Sequence, residues 1–137
     1  NAVANSTVPK FTVVVGNSYG AVNYAMCGKA YDPRLIVAWP SANIAVMGGD
    51  QAAKVLQQIE VSRLKKAGLK PNKDEQAALY ESLAASYEQQ TSPIYAAARL
   101  WVDAIIDPVD TRHWISTGIE AANHAPVETF STGVIQT

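Results

Sequence analysis

The chain is 137 residues long, 48% hydrophobic and only 17% charged, with eleven basic and twelve acidic residues and a net charge of −1. That length supports one domain with a core, or a large piece of a longer protein, and the near-neutral balance lacks the basic stripe of a nucleic-acid binder. One cysteine, Cys27, excludes a disulfide framework and a multi-cysteine metal site, and no apolar run approaches the ~20 residues of a membrane span.

Phe-Thr-Val-Val-Val at 11–15 follows Pro9 and stops at Gly16, a continuous β-branched run that predicts a strand buried on both faces. Gly16 to Gly20 predicts a tight turn, and the small residues up to Gly28 a short helix packed closely on its neighbours. Asp32-Pro33 makes a turn, Leu35 to Trp39 a second buried strand closed by Pro40, and Ile44 to Met47 a third, ended by Gly48-Gly49. From Asp50, a fair N-cap, Ala52, Val55, Leu56 and Ile59 recur at helical spacing, which predicts a helix to Gly68 with Pro71 beyond it. Asp74 and Glu75 open a second helix with Tyr80, Leu83, Ala84 and Tyr87 on one face. Pro93 starts a third running to Asp103. Asp107-Pro108 begins a last one, with Ile115, Gly118, Ile119 and Ala122 in one stripe and Pro126 closing it. There is no internal sequence repeat. Short strands first and helices after them predict an α/β chain cut from a larger layered fold.

Charge is uneven. Residues 1–49 contain only Lys10, Lys29, Asp32 and Arg34, whereas residues 50–90 contain twelve charged positions. The first stretch therefore belongs to a core, a subunit interface or a pocket wall, and the middle of the chain to solvated helix. No basic segment with an apolar core marks a signal peptide, and a start at Asn1 without methionine reads as a fragment.

Gly16-Asn17-Ser18-Tyr19-Gly20 matches the nucleophile elbow of serine hydrolases and sits between a strand and a helix, where that motif belongs. Asp107 or Asp110 with His113 or His124 would complete the chain order. Against it, a hydrolase sheet needs about eight strands and this chain offers three, no His-Gly-Gly segment supplies a second oxyanion donor, and both histidines fall on or beside one amphipathic helix. Phosphate-loop and dinucleotide patterns fail, because Ala21, Val22 and Asn23 stand where glycines or a lysine belong. The same turn can act without side chains. Free amides at Gly20, Ala21 and Val22 can converge on one oxygen as an oxyanion hole.

The run from Val8 to Arg34, with Gly16-x-Ser18-x-Gly20-Ala21-x-Asn23-Tyr24 and Met26-Cys27-Gly28-x-Ala30-Tyr31, resembles the carboxyltransferase (beta) subunit of biotin-dependent acyl-CoA carboxylases, in the methylcrotonyl-CoA and geranyl-CoA branch. The likeness continues through Ala38-Trp39-Pro40-x-Ala42, Val46-Met47-Gly48-Gly49-x-Gln51-Ala52-Ala53 and Ser92-Pro93-x-Tyr95. It closes with Ala98-Arg99-Leu100-Trp101 and Ile105-Ile106-Asp107-Pro108-x-Asp110-Thr111-Arg112.

The resemblance implies a crotonase-like α/β fold of ββα units stacked into a superhelix, with residues 1–137 forming most of the C-terminal carboxyltransferase domain and the N-terminal acyl-CoA-binding domain missing. It implies biotin as cofactor, carried as carboxybiotin by a biotin carboxylase or carrier subunit. By the same resemblance an acyl-CoA would be the substrate and the beta subunits would form a homo-oligomer, with neither nucleic acid nor membrane expected as a partner. CO2 from carboxybiotin is captured by a thioester enolate, and each enolate oxygen is held by a pair of amides. The implied site is the backbone of Gly20, Ala21 and Val22, with Tyr19, Asn23 and Tyr24 around biotin and no metal. Val22 and Ala25 replace the family's glycines, and Val102 and Ala104 its acidic residue and glycine. The compartment would be the bacterial cytoplasm or the mitochondrial matrix. A non-catalytic crotonase-like assembly module remains the other alternative.

Among other residues, Ser18 reads as a turn-former bonded to local backbone and Cys27 as a small buried hydrophobe. Trp39, Trp101 and Trp114 read as core or interface. Asp103, Asp107 and Asp110 read as helix caps or partners of Arg99 and Arg112. Lys65, Lys66, Lys70 and Lys73 belong to a solvated helix pair, with contact to the biotin-carboxylating subunit or to CoA phosphates as the alternative.

Overall fold

A computed structural model describes residues 1–69 and 72–126; Lys70 and Pro71 of the expected helix-to-helix loop lie outside the described residues. After a one-turn helix α1 (Ala2–Asn5), the run at 11–15 forms strand β1 (Phe11–Val14). It pairs in parallel with β3 (Leu35–Ala38), Phe11 opposite Leu35 and Val14 opposite Ala38. The short β5 (Ala104–Ile105) lies on the other edge of β3, with Val37 opposite Ala104. The central strand is the most deeply buried, with Ile36, Val37 and Ala38 all in the core, as its continuous apolar sequence requires.

A second, two-stranded parallel sheet joins β2 (Asn17–Tyr19) to β4 (Asn43–Ala45). The sequence predicts residues 17–19 as part of a turn and the third strand at Ile44 to Met47, so β4 starts one residue and ends two residues before the expected bounds. The polar segment is drawn into a strand by its partner: Asn43 Nδ2 donates to Asn17 Oδ1 at 3.1 Å and the Asn43 amide to Gly16 O at 3.1 Å. Strands β1 and β3 of the first sheet thus each hand on to a strand of the second and then to a helix, giving β1–β2–α2 (Val22–Ala25) and β3–β4–α3 (Gly49–Lys66). This ββα repeat exists in the backbone although the residues show no repeat.

Helix α3 and α4 (Lys73–Thr91) form an antiparallel pair, in which Gly49 lies against Tyr87 and Gln57 Nε2 donates to Gln76 O. The end of α3 is the expected one. Gly68, at φ +75°, closes it with Leu69 N donating to Leu64 O and Gly68 N to Lys65 O. Helix α5 (Pro93–Ala98) stops five residues before the expected Asp103. The chain reverses at Leu100, whose φ is +59°, with Trp101 N donating to Ala96 O and Leu100 N to Ala97 O. That reversal frees Val102 to enter the core and Ala104 to join β3. The last helix, α6 (Thr111–Ala122), is preceded by a 3-10 turn at Pro108–Asp110, which Asp107 caps by accepting the Val109 amide at 3.0 Å. Val14, Ile36, Ala38, Ala42, Ile44, Ala96 and Val102 make the central cluster.

Candidate functional site

The junction from β2 to α2 is built around Gly20. Its φ of +52° lies in the left-handed region, its amide donates to Ala45 O at 3.1 Å, and a Cβ on it would meet Val46 O at 2.9 Å. Only glycine meets both conditions without strain. The next residue, Ala21, is helical (φ −62°, ψ −20°), and its carbonyl accepts the amides of Tyr24 and Ala25. The N–H groups of Ala21 and Val22 donate to no backbone or side-chain acceptor among the described residues, as the first amides of a helical turn must. Val22 stands where the resemblance implies a glycine, and the backbone accepts it: the position has negative φ, and the non-glycine residues with positive φ among those described are Cys27, Asp32 and Leu100.

A cavity of about 540 Å³ opens beside this turn. Gly20, Val22, Asn23 and Tyr24 line it, with apolar walls from Val13, Val15, Met26, Ile44 and Val46. Of the six site residues expected from the sequence, Tyr19 and Ala21 are not on its lining. The Tyr19 ring lies near Gly48, and its hydroxyl is 3.5 Å from Asn17 Oδ1. Tyr24 is exposed and packs edge-on against Tyr31 at 6.0 Å. Lys29 and Trp101 also reach the cavity. They come from segments far apart in the chain, and their sequence context carried no signal of it.

Ser18 stands in a strand, 8% exposed, and not on a turn tip. Its hydroxyl donates to Asn23 Oδ1 at 2.8 Å rather than to local backbone, and Asn23 Nδ2 donates back to Ser18 O at 3.4 Å. Neither histidine borders the cavity, so the described structure brings neither of the expected histidine bases to the hydroxyl. Cys27 is buried, with its thiol 3.9 Å from Tyr31 O and its carbonyl accepting the Thr12 hydroxyl at 2.7 Å. The three aspartates do not act together. Asp103 pairs with Lys29 at 3.8 Å instead of an arginine, Asp107 caps, and Asp110 leads into α6 without a capping bond. Arg99 lies over the Tyr95 ring at 3.3 Å. No group of three or more metal-ligating side chains occurs among the described residues, and no described helix is long and apolar enough to cross a membrane.

Comparison with known proteins gives this arrangement a family. Residues 1–133 match the carboxyl transferase domain model. The biotin-dependent 3-methylcrotonyl-coenzyme A carboxylase beta1 subunit of Mycobacterium tuberculosis is 48% identical over 135 residues, which is 98% of this chain and 26% of that protein. The mitochondrial methylcrotonoyl-CoA carboxylase beta chain of Arabidopsis thaliana is 44% identical over 98% of this chain and 23% of its own. In structure, the beta subunit of Pseudomonas aeruginosa geranyl-CoA carboxylase superposes with a TM-score of 0.80 at 40% identity, over 98% of this chain and 25% of that one. The transcarboxylase 12S subunit does so with a TM-score of 0.78 at 34% identity, over 99% and 24%. The chain spans about a quarter of the length of these relatives. Its ββα units are the expected crotonase-like fold, in part. The chain belongs to the carboxyl transferase domain family.

Proposed function

We propose that the chain supplies the carboxybiotin-side, C-terminal domain of the carboxyltransferase subunit of a biotin-dependent acyl-CoA carboxylase, with a methylcrotonyl-CoA-like thioester as the acceptor of CO2. One observation carries the reading: two undonated amides, at Ala21 and Val22, follow a left-handed Gly20 at the edge of a largely apolar cavity. The relatives' names support the chemistry, the Mycobacterium tuberculosis protein being called biotin-dependent.

The residues suit the group. A ureido oxygen asks for paired N–H donors and a fused bicyclic ring for apolar walls, and Val13, Val15, Val22 and Val46 provide the walls. Carboxybiotin held there would supply CO2, and its ureido oxygen would need stabilising as it gains negative charge. The amides of Ala21 and Val22 hold that oxygen, and a preorganised donor of this kind is worth roughly 3 to 4 kcal/mol of barrier. Gly20 sets their direction, and its close approach to Val46 keeps the cavity edge narrow. No side chain of this chain needs to act as a base. The thioester and its own pair of donors belong to the N-terminal domain of a neighbouring subunit. Its partners, on this proposal, are the acyl-CoA, a biotin-carrying subunit and further carboxyltransferase subunits. By this reading the protein works in a bacterial cytoplasm or a mitochondrial matrix, and the Arabidopsis relative is named as mitochondrial.

Two probes test this reading. Calorimetric titration of the chain with biotin should give saturable binding, and a fluorophosphonate probe should leave Ser18 unlabelled. Labelling of Ser18 would overturn the reading in favour of a hydrolase, and the absence of both signals in a folded sample would favour an assembly module.

A further inference from the structure

We propose that Asn23 is a positioning residue, which through Ser18 fixes the direction in which the Ala21 and Val22 amides point. The proposal rests on the reading of those amides as an oxyanion hole. Ser18 is held in β2 opposite Ile44, and Asn23 stands in α2. Their side chains close the loop between them at its base: the Ser18 hydroxyl donates to Asn23 Oδ1 at 2.8 Å, and Asn23 Nδ2 donates to the Ser18 carbonyl at 3.4 Å. The backbone of Asn23 is tied as well. Its amide donates to Gly20 O at 3.2 Å and its carbonyl accepts the Gly28 amide at 2.6 Å. A Cβ on Gly28 would lie 2.5 Å from that carbonyl, so the approach requires glycine.

Tyr19, Gly20, Ala21 and Val22 are therefore strung between two fixed residues and pinned midway by the Gly20 amide on Ala45 O. The peptide planes that carry the two free N–H groups cannot rotate without breaking one of these bonds. Ser18 is buried, and a reciprocal pair with little access to water is held more firmly than an exposed one. Asn23 thus spends its carbonyl oxygen and one amide hydrogen on Ser18, which makes it a support of the site rather than the direct contact to biotin expected from the sequence. The serine of the Gly-x-Ser-x-Gly motif gains a role that involves no nucleophile.

The test is a double-mutant cycle on the chain with Ser18→Ala, Asn23→Ala and the double variant. It reads biotin affinity on folded protein together with the Ala21 and Val22 amide resonances in the absence of ligand. The expected result is that each single variant moves both resonances and weakens biotin about tenfold, and that the double variant is no weaker than Asn23→Ala, as for two halves of one device. Ser18→Ala removes only one hydroxyl and carries the test if Asn23→Ala fails to fold. Unaltered affinity and unaltered resonances in a folded variant would overturn the positioning role while leaving the proposed function standing. If the unsubstituted chain does not bind biotin, the proposed function fails. The ligand-free resonances then decide the role of Asn23: shifts at both amides support it, and unchanged positions overturn it.

Discussion

Asp103 grips Ile36 on both sides of its peptide. The Asp103 amide donates to the Ile36 carbonyl at 2.7 Å, and the Asp103 carboxylate accepts the Ile36 amide at 2.8 Å. Ile36 is in the core, so its N–H has no water to turn to when the carboxylate is removed. Asp103→Ala is expected to cost about 1–3 kcal/mol, the penalty for orphaning a buried donor. Asp103→Asn, which keeps an oxygen in place, should cost less. Urea unfolding of the two variants measures the difference.

Helix α6 meets the first sheet at Gly118, where a Cβ would lie 2.9 Å from Cε1 of Phe11. Alanine is the better helix former by about 1 kcal/mol, but the overpacking it causes costs typically ~1–3 kcal/mol. The added carbon also meets Leu35 Cδ2 at 3.3 Å, so two neighbours would have to move and the steric cost is expected to win. Gly118→Ala should lower the urea midpoint, and Phe11→Leu in the same chain should recover part of the loss.

The exposed pair of Glu60 and Arg63, one turn apart on α3 at 2.6 Å, gives a pH dependence with a definite sign. The hydrogen bond from Arg63 holds the Glu60 carboxyl below its ordinary value, and the arginine is raised in turn. A depressed acid stabilises the fold above its unfolded pKa, and that contribution disappears as pH falls through the folded value. The contribution therefore survives at neutral pH and is lost in acid. Arg63→Gln should return Glu60 to the ordinary glutamate range in an NMR titration, with little change in stability because both groups face solvent.

Gly20 and Val22 should respond in opposite ways to substitution. Gly20→Ala forces a side chain into the left-handed region, at roughly 1–2 kcal/mol, and into Val46 O. It should lower stability and abolish biotin binding together. Val22 stands in helix α2 with negative φ and lines the cavity. Val22→Gly should keep the amide in place, hold biotin affinity within about threefold, and cost only the ~1 kcal/mol that helical glycine loses. Calorimetry on both variants separates the two outcomes.

Two helix ends show how much of this was legible in the residues. Helix α3 and helix α5 close with the same pair of backbone bonds, but α3 places Gly68 at the left-handed position and α5 places Leu100 there. Glycine announces such a reversal, whereas Ala-Arg-Leu-Trp reads as continuing helix, so β5 and the core role of Val102 stayed hidden. Strand β3 was readable because a buried parallel strand needs an unbroken β-branched run, and the same pattern located β1, although only Val14 of β1 is buried and the expected burial on both faces is not met there. Asn17–Tyr19 is a strand only because β4 lies beside it, and pairing across 26 residues leaves no local trace. The turn at Gly20 was legible as a glycine motif. The clasp between Ser18 and Asn23 was not, since it depends on β2 being a strand.

The most direct measurement is an NMR titration of the chain with biotin, following the amides from Tyr19 to Asn23. Saturable shifts centred on Ala21 and Val22, absent in Gly20→Ala, are the predicted result. A folded chain in which millimolar biotin leaves both amides unmoved would contradict the claim that this turn holds the ureido oxygen.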